Sequence, residues 1–237
     1  GRKGVLYIAV AVNLGVLGVF KYLTFLVRTV DRLPGVAITV PSIVLPVGIS
    51  FFTFQGLSYV IDVYRNERLK STRFRNVLLY IALFPQLVAG PIVRYEDVAD
   101  EIKSRYHTLE QLAHGLRRFI VGLSKKLLIA DVCGSVVTLI YSAESSVMDS
   151  RTAWLAAVCY LIQIYFDFSG YSDMAIGLGQ CFGFHFKENF NYPYISASIQ
   201  EFWRRWHISL STWFREYLYI PLGGNRKGKA KTYRNKL

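Results

Sequence analysis

From Gly4 to Val27 the chain carries a single charge, Lys21. A helix needs about 20 largely apolar residues to cross hydrocarbon. The run is too long and continues too smoothly for a cleaved leader. Two uncharged runs follow, Leu33 to Ile61 and Asn76 to Val93. Pro34, Pro41, Pro46, Gly48 and Gly56 punctuate the first, so its second half, Ser42 to Val63, reads as a span with an irregular entry. Pro85, Gly90 and Pro91 interrupt the second. A mid-helix proline removes a hydrogen bond and clashes with the preceding turn. Broken backbone at membrane depth persists only when buried in protein or lining a cavity. Asn76 to Val93 is therefore expected to be bent or re-entrant.

The remaining chain follows the same pattern. Arg117 to Lys126 is basic and amphipathic and leads into a short span, Leu127 to Ala143, that carries Asp131. Ala153 to Phe168 spans again, Met174 to Phe186 is a shorter apolar stretch, and Ile208 to Leu222 suits a tilted or interfacial helix. Hydrophobic residues make up 52% and charged residues 19%, against about 25% charged in soluble domains. With 16 Phe, 16 Tyr and 4 Trp the chain is not disordered. Its net charge of +12 sits in short loops between apolar runs, which excludes a nucleic-acid-binding face. Cys133, Cys159 and Cys181 have no metal spacing and read as free buried thiols; no metal is indicated. The fold class is all-α: a polytopic integral membrane protein with broken helices. Residues 1–237 read as one membrane-embedded domain, a piece of a longer chain.

Charge then orients the chain. Arg65, Arg68, Lys70, Arg73 and Arg75 crowd one loop, Arg117, Arg118, Lys125 and Lys126 another, and Arg226 to Lys236 form a basic tail. The loop Ser142 to Arg151 carries Glu144 and Asp149. The basic loops are placed in the cytoplasm and the acidic loop outside, so Asn76 to Val93 must enter and leave on one face.

No GxSxG elbow, P-loop or HExxH is present. The run Gly177 to Gly183 has the wrong spacing for a dinucleotide loop and suits close helix packing. Two carboxylates, Asp167 and Asp173, lie in apolar sequence. Each either lines a polar cavity or caps a helix, Asp173 at a helix starting after Ser172. Ser198 followed by Glu201 is a capping box, so a helix begins near Ile199. At about 100° per residue, Phe202, Trp203, Trp206, Leu210, Trp213 and Phe214 share one face, with Arg204, Arg205, Ser209, Ser211, Thr212 and Arg215 opposite. His207 falls at the border, beside Ser211. The segment is then either a basic amphipathic helix in the headgroup plane or the mouth of a cavity, with His207 able to move a proton. His107, His114 and His185 read as solvated or structural. An acyltransferase, a transporter or channel built from broken helices, and a scaffold that recruits partners all remain open at this point.

Four strings settle on a resemblance: Pro85 to Arg94 (PQLVAGPIVR), Tyr165 to Asp173 (YFDFSGYSD), Asn189 to Tyr194 (NFNYPY) and Phe202 to His207 (FWRRWH), with Tyr217 to Arg226 downstream. Together they resemble the membrane-bound O-acyltransferase family, nearest its bacterial branch that acetylates alginate; the D-alanyl transferases of teichoic acid synthesis are more distant. The resemblance implies tilted helices around a tunnel, in a multi-pass protein of the bacterial inner membrane. It implies an acyl thioester such as acetyl-CoA as donor on the cytoplasmic side, with no tightly bound cofactor. The acceptor would be an exported polysaccharide or an acyl-accepting partner protein on the far side. One family histidine maps to His207, with Asp167 as its orienting carboxylate. Trp203 and Trp206 would wall the tunnel; Arg204 and Arg205 would hold phosphates or anchor the helix to lipid. Asn189, Tyr192 and Ser211 would complete the lining. The family's second histidine lies in a later apolar segment, and no histidine follows His207 here. The piece alone thus lacks one of the two imidazoles the family uses.

Overall fold

The computed structural model describes residues 1–33, 39, 42–71, 73–87, 90–143, 149–226 and 228. Every regular element among them is helical. Pro34, Pro41, Glu144 and the basic positions from Lys227 to Lys236 lie outside the described residues. The chain divides into two compact units. One comprises Gly1–Val88, Ile92–Lys103 and Phe214–Leu237; the other comprises Ala89–Pro91 and Ser104–Trp213.

The first unit opens with helix α1 (Arg2–Leu17), a π-helical turn (Gly18–Tyr22) and α2 (Leu23–Asp31). The continuous run Arg2–Asp31 has 30 residues and a mean hydropathy of 1.9, long and apolar enough to cross a membrane. At 1.5 Å per residue it reaches about 45 Å. Its apolar side chains point outward, with Tyr7, Ile8 and Phe25 each about two-thirds exposed. Asn13, mid-run, spends its amide on the Ala9 carbonyl at 2.8 Å, so that polar group is satisfied within the helix. Helix α1 packs on α3 (Ile49–Arg65).

A buried polar stripe on α3 was not foreseen. Thr53 and Ser58 return their hydroxyls to Ile49 and Phe54 carbonyls at 2.7 and 2.6 Å. Asp62, at the end of the expected span, accepts the Tyr217 hydroxyl at 2.5 Å. A single 3-10 turn (Glu67–Leu69) leads to α4 (Phe74–Ala82). The bend expected from the prolines is present. Helix α4 stops at Leu83, whose backbone is extended, and a short α5 (Phe84–Leu87) follows. The break frees the Tyr80 carbonyl, which takes the Gln86 side-chain amide at 2.8 Å instead. The Tyr80 hydroxyl donates to Val93 at 2.8 Å and draws the chain back before α6 (Tyr95–Lys103).

In the second unit, Thr108 and Gln111 form a reciprocal capping box that starts α7 (Leu109–Ser124). A π-helical turn (Lys125–Ala130) carries it into α8 (Asp131–Ser142). Helix α9 (Ser150–Cys181) is capped by the Asp149 side chain. Sequence reading split α9 into two apolar stretches; the structure corrects this to one helix of 32 residues. The reason is contact with α7. A Cβ on Gly177 would lie 2.5 Å from the Gly115 carbonyl, and one on Gly122 would lie 2.5 Å from the Gly170 carbonyl. Two glycine pairs, seven residues apart on antiparallel helices, bring the backbones together. Asp173 is therefore mid-helix and caps nothing, which corrects the other expectation for that stretch. Cys133, Cys159 and Cys181 are free, and half-buried rather than buried.

Candidate active site

The helix starts where Ser198 and Glu201 predict: Ser198 accepts the Glu201 N–H at 3.1 Å, and α10 runs Ile199–Arg205. It does not continue through His207. The chain breaks there and restarts as α11 (Ile208–Phe214), with His207 at φ 44° between them. A left-handed conformation costs a non-glycine residue roughly 1–2 kcal/mol, so something must hold it. Asn189, fully buried, does so. Its carbonyl accepts the Ile208 N–H at 2.9 Å. Its side-chain oxygen accepts the Ser209 N–H at 3.2 Å and the Ser209 hydroxyl at 2.8 Å. One step outward, the Arg205 carbonyl accepts the Asn191 N–H at 2.9 Å, and the Arg205 guanidinium returns to the Asn191 carbonyl at 3.2 Å. Glu201 bonds Arg205 in turn at 2.9 Å. The Ala197 N–H and the Arg205 guanidinium hold its carboxyl below the usual range.

Aromatic rings enclose the turn. Phe168 stands edge-on to the His207 imidazole, centroids 4.7 Å apart. Trp206 packs against Phe190 at 5.1 Å and Phe202 at 5.6 Å, and the Tyr194 hydroxyl anchors the cluster to the Leu161 carbonyl at 2.8 Å. His207 is 9% exposed. It lies outside Arg2–Asp31 and Ser150–Cys181, the two helices among the described residues that are long and apolar enough to cross a membrane. Burial pushes its pKa down to about 4, so the ring is neutral near pH 7. Its Nε2 is buried with no hydrogen-bond partner, as is the Nδ2 of Asn189.

Beside this turn is a cavity of about 540 Å³, walled by Tyr165, Ser169 and Ser172 of α9 and by Phe190 and Tyr192. The hydroxyls of Ser169 and Ser172 are buried and unpartnered. An ionic clasp lies along one side. Arg118 of α7 reaches Asp173 at 2.8 Å and Glu188 at 2.6 Å, and Lys125 reaches Asp173 at 2.6 Å. Sequence reasoning missed the clasp, Tyr165 and the two serines. The small polar residues three apart on the Asp173 face of an apolar helix were the available signal.

The expected residues scatter around this centre. Asn189, Trp206 and His207 come together, and Tyr192, also at φ 44°, reaches the cavity wall. Ser211 meets His207 through its backbone, donating its N–H to the His207 carbonyl at 3.1 Å. Asp167 is not brought to the imidazole. It pairs with Lys126, and about half of its side chain is exposed. Trp203, 52% exposed, stands edge-on to Phe202 at the outer side of the cluster, and Arg204 is exposed.

Comparison with known proteins bears on what this arrangement does. The family model for membrane-bound O-acyltransferases matches residues 49–237. A protein named "Probable alginate O-acetylase AlgI" from Pseudomonas putida is 48% identical over 97% of this chain and 48% of its own length. A peptidoglycan O-acetyltransferase of Helicobacter pylori is 36% identical over 97% of this chain and 49% of its own. A teichoic acid D-alanyltransferase of Bacillus subtilis is 31% identical over 73% and 44%. The chain spans about half the length of the curated relatives it matches.

Proposed function

Because the chain belongs to the membrane-bound O-acyltransferase family, we propose that it is part of an enzyme that moves an acetyl group from a thioester to hydroxyls of an exported or cell-surface polysaccharide such as alginate. The names of the relatives support that acceptor class. The observation that carries the reading is the His207 imidazole: neutral, buried, unpartnered at Nε2 and held in a left-handed turn. A neutral ring nitrogen can take the proton of an attacking hydroxyl. The hydroxyl oxygen then bonds to the thioester carbon, the carbon–sulfur bond breaks, and the proton passes from the imidazole to the departing sulfur. The cavity beside the turn receives the thioester. The free hydroxyls of Ser169 and Ser172 offer donors to its carbonyl oxygen. The packed rings of Phe168, Phe190 and Trp206 keep water from the thioester. Asp167 contributes as counter-charge to Lys126, and Arg204 anchors to lipid headgroups.

The same reading places the protein in the bacterial inner membrane as a multi-pass chain. Its basic loops face the cytoplasm, acetyl-CoA or another thioester arrives there, and an acyl-accepting partner or polysaccharide waits outside. The bent segment after α4 is re-entrant in that scheme. The test uses the complete protein in membranes supplied with a labelled acetyl thioester and acceptor. His207→Ala abolishes transfer while the protein stays folded; undiminished transfer by that variant sinks the reading. Solute flux through proteoliposomes without acyl chemistry would favour a transporter instead.

A further inference from the structure

The first unit contains a concavity that transferase chemistry does not use. Its volume is about 460 Å³, and it is lined by Lys70, Ser71, Arg73, Arg75, Asn76 and Lys103. Four cations thus converge from two places: the 3-10 turn with the start of α4, and the last turn of α6. Among the described residues, no carboxylate lines it. Lys103 has an exposed partner in Asp100 at 3.3 Å. Among the described residues, the side chains of Lys70, Arg73 and Arg75 have no ion-pair partner. The loop between them is shaped rather than slack. The Ser71 N–H donates to the Tyr59 hydroxyl at 3.2 Å, and the Ser71 hydroxyl donates to the Arg73 carbonyl at 3.0 Å.

A topology signal needs cations on one side of a membrane; it does not need them gathered around a hollow with polar groups between them. Like charges held together repel, and an anion removes that cost. We propose that this concavity binds a phosphate group. Arginine forks match tetrahedral phosphate oxygens, lysines add point charge, and the Asn76 amide supplies a neutral hydrogen bond. The phosphate can belong to an anionic lipid headgroup or to a soluble phosphate compound; the chemistry recognised is the same.

The test reads binding, not acetyl transfer, so it stands apart from the proposed reaction. The complete protein and Arg73→Glu/Arg75→Glu are placed in nanodiscs of phosphatidylcholine alone or with one-third phosphatidylglycerol. Melting is followed with and without inorganic diphosphate. The wild type melts several degrees higher with phosphatidylglycerol, with diphosphate, or with both, and the gain fades with added salt. The double variant loses that gain, with diphosphate binding about 30-fold weaker for two cations removed at about 1 kcal/mol each. A gain from phosphatidylglycerol only assigns the pocket to a lipid headgroup; a gain from diphosphate only assigns it to a soluble phosphate. Should charge reversal prevent folding, Arg73→Gln/Arg75→Gln carries the same comparison. Equal melting under all conditions, or a gain the variant keeps in full, overturns the proposal.

Discussion

Asn189 fixes the backbone of His207 from across a turn. Its carbonyl holds the Ile208 N–H at 2.9 Å, and its side-chain oxygen holds both the N–H and the hydroxyl of Ser209. The two residues after the imidazole therefore hang from one buried residue, Ile208 from its backbone and Ser209 from its side chain, and the left-handed φ of His207 follows from that suspension.

Removing the suspension should cost rate before it costs folding. Asn189→Ala leaves the Ser209 groups without their acceptor, about 1–3 kcal/mol, and releases His207 from its geometry. A displacement near 1 Å costs about 100-fold in rate. In the complete protein, kcat should fall by that order with the donor KM little changed. Asn189→Asp, which keeps the acceptor, should recover part of the loss. Steady-state kinetics on both variants checks this.

The buried imidazole gives stability a pH dependence of definite sign. The unfolded chain protonates His207 near its ordinary value of 6.5, the folded chain only near 4. Between those values the unfolded state binds more protons, so stability falls as pH drops from 6.5 toward 4 and is complete above 6.5. The limit is about 3 kcal/mol. Melting of wild type against His207→Gln across pH 4 to 7.5 should show the excess loss in wild type alone.

Two acidic residues six apart on α9 should behave differently. Asp173 is largely buried between Arg118 and Lys125. Asp173→Asn strands Lys125, leaves Arg118 with Glu188 alone, and should cost about 2–3 kcal/mol. Asp167 makes one half-exposed pair with Lys126, and Asp167→Asn should cost under about 1 kcal/mol. Thermal denaturation in detergent separates them.

The glycine pairs should tolerate nothing larger. A Cβ on Gly122 or Gly177 meets backbone at 2.5 Å, and backbone cannot swing aside as a side chain can. Gly122→Val should destabilise by about 3 kcal/mol or prevent folding. By contrast Gly4→Ala, with nothing within 4 Å, should be silent in the same melting assay.

What could be read from sequence was local. The apolar runs, the proline break after Ala82 and the helix start at Ser198 each depend on neighbours within a few residues. The break at His207 does not. It is imposed by Asn189, and no propensity of a Trp-His-Ile stretch announces it. The continuity of α9 was hidden for a related reason. Ser169 and Gly170 look like a helix stop until Gly122 is known to lie against them. The same distance concealed Arg118 as the partner of Asp173, since 55 residues separate them.

The π-helical turn Lys125–Ala130 has a consequence for how this region can change. It holds one residue more than an α-helical turn would, so everything C-terminal to it is wound by about 100° relative to a regular helix. Excising a single residue there would restore ordinary winding and swing α8 round its own axis. Gly134, whose missing Cβ leaves room for the Gln163 amide, would then present a different flank. Length in that short stretch works as an angular setting, and substitutions should be accepted there far more readily than deletions.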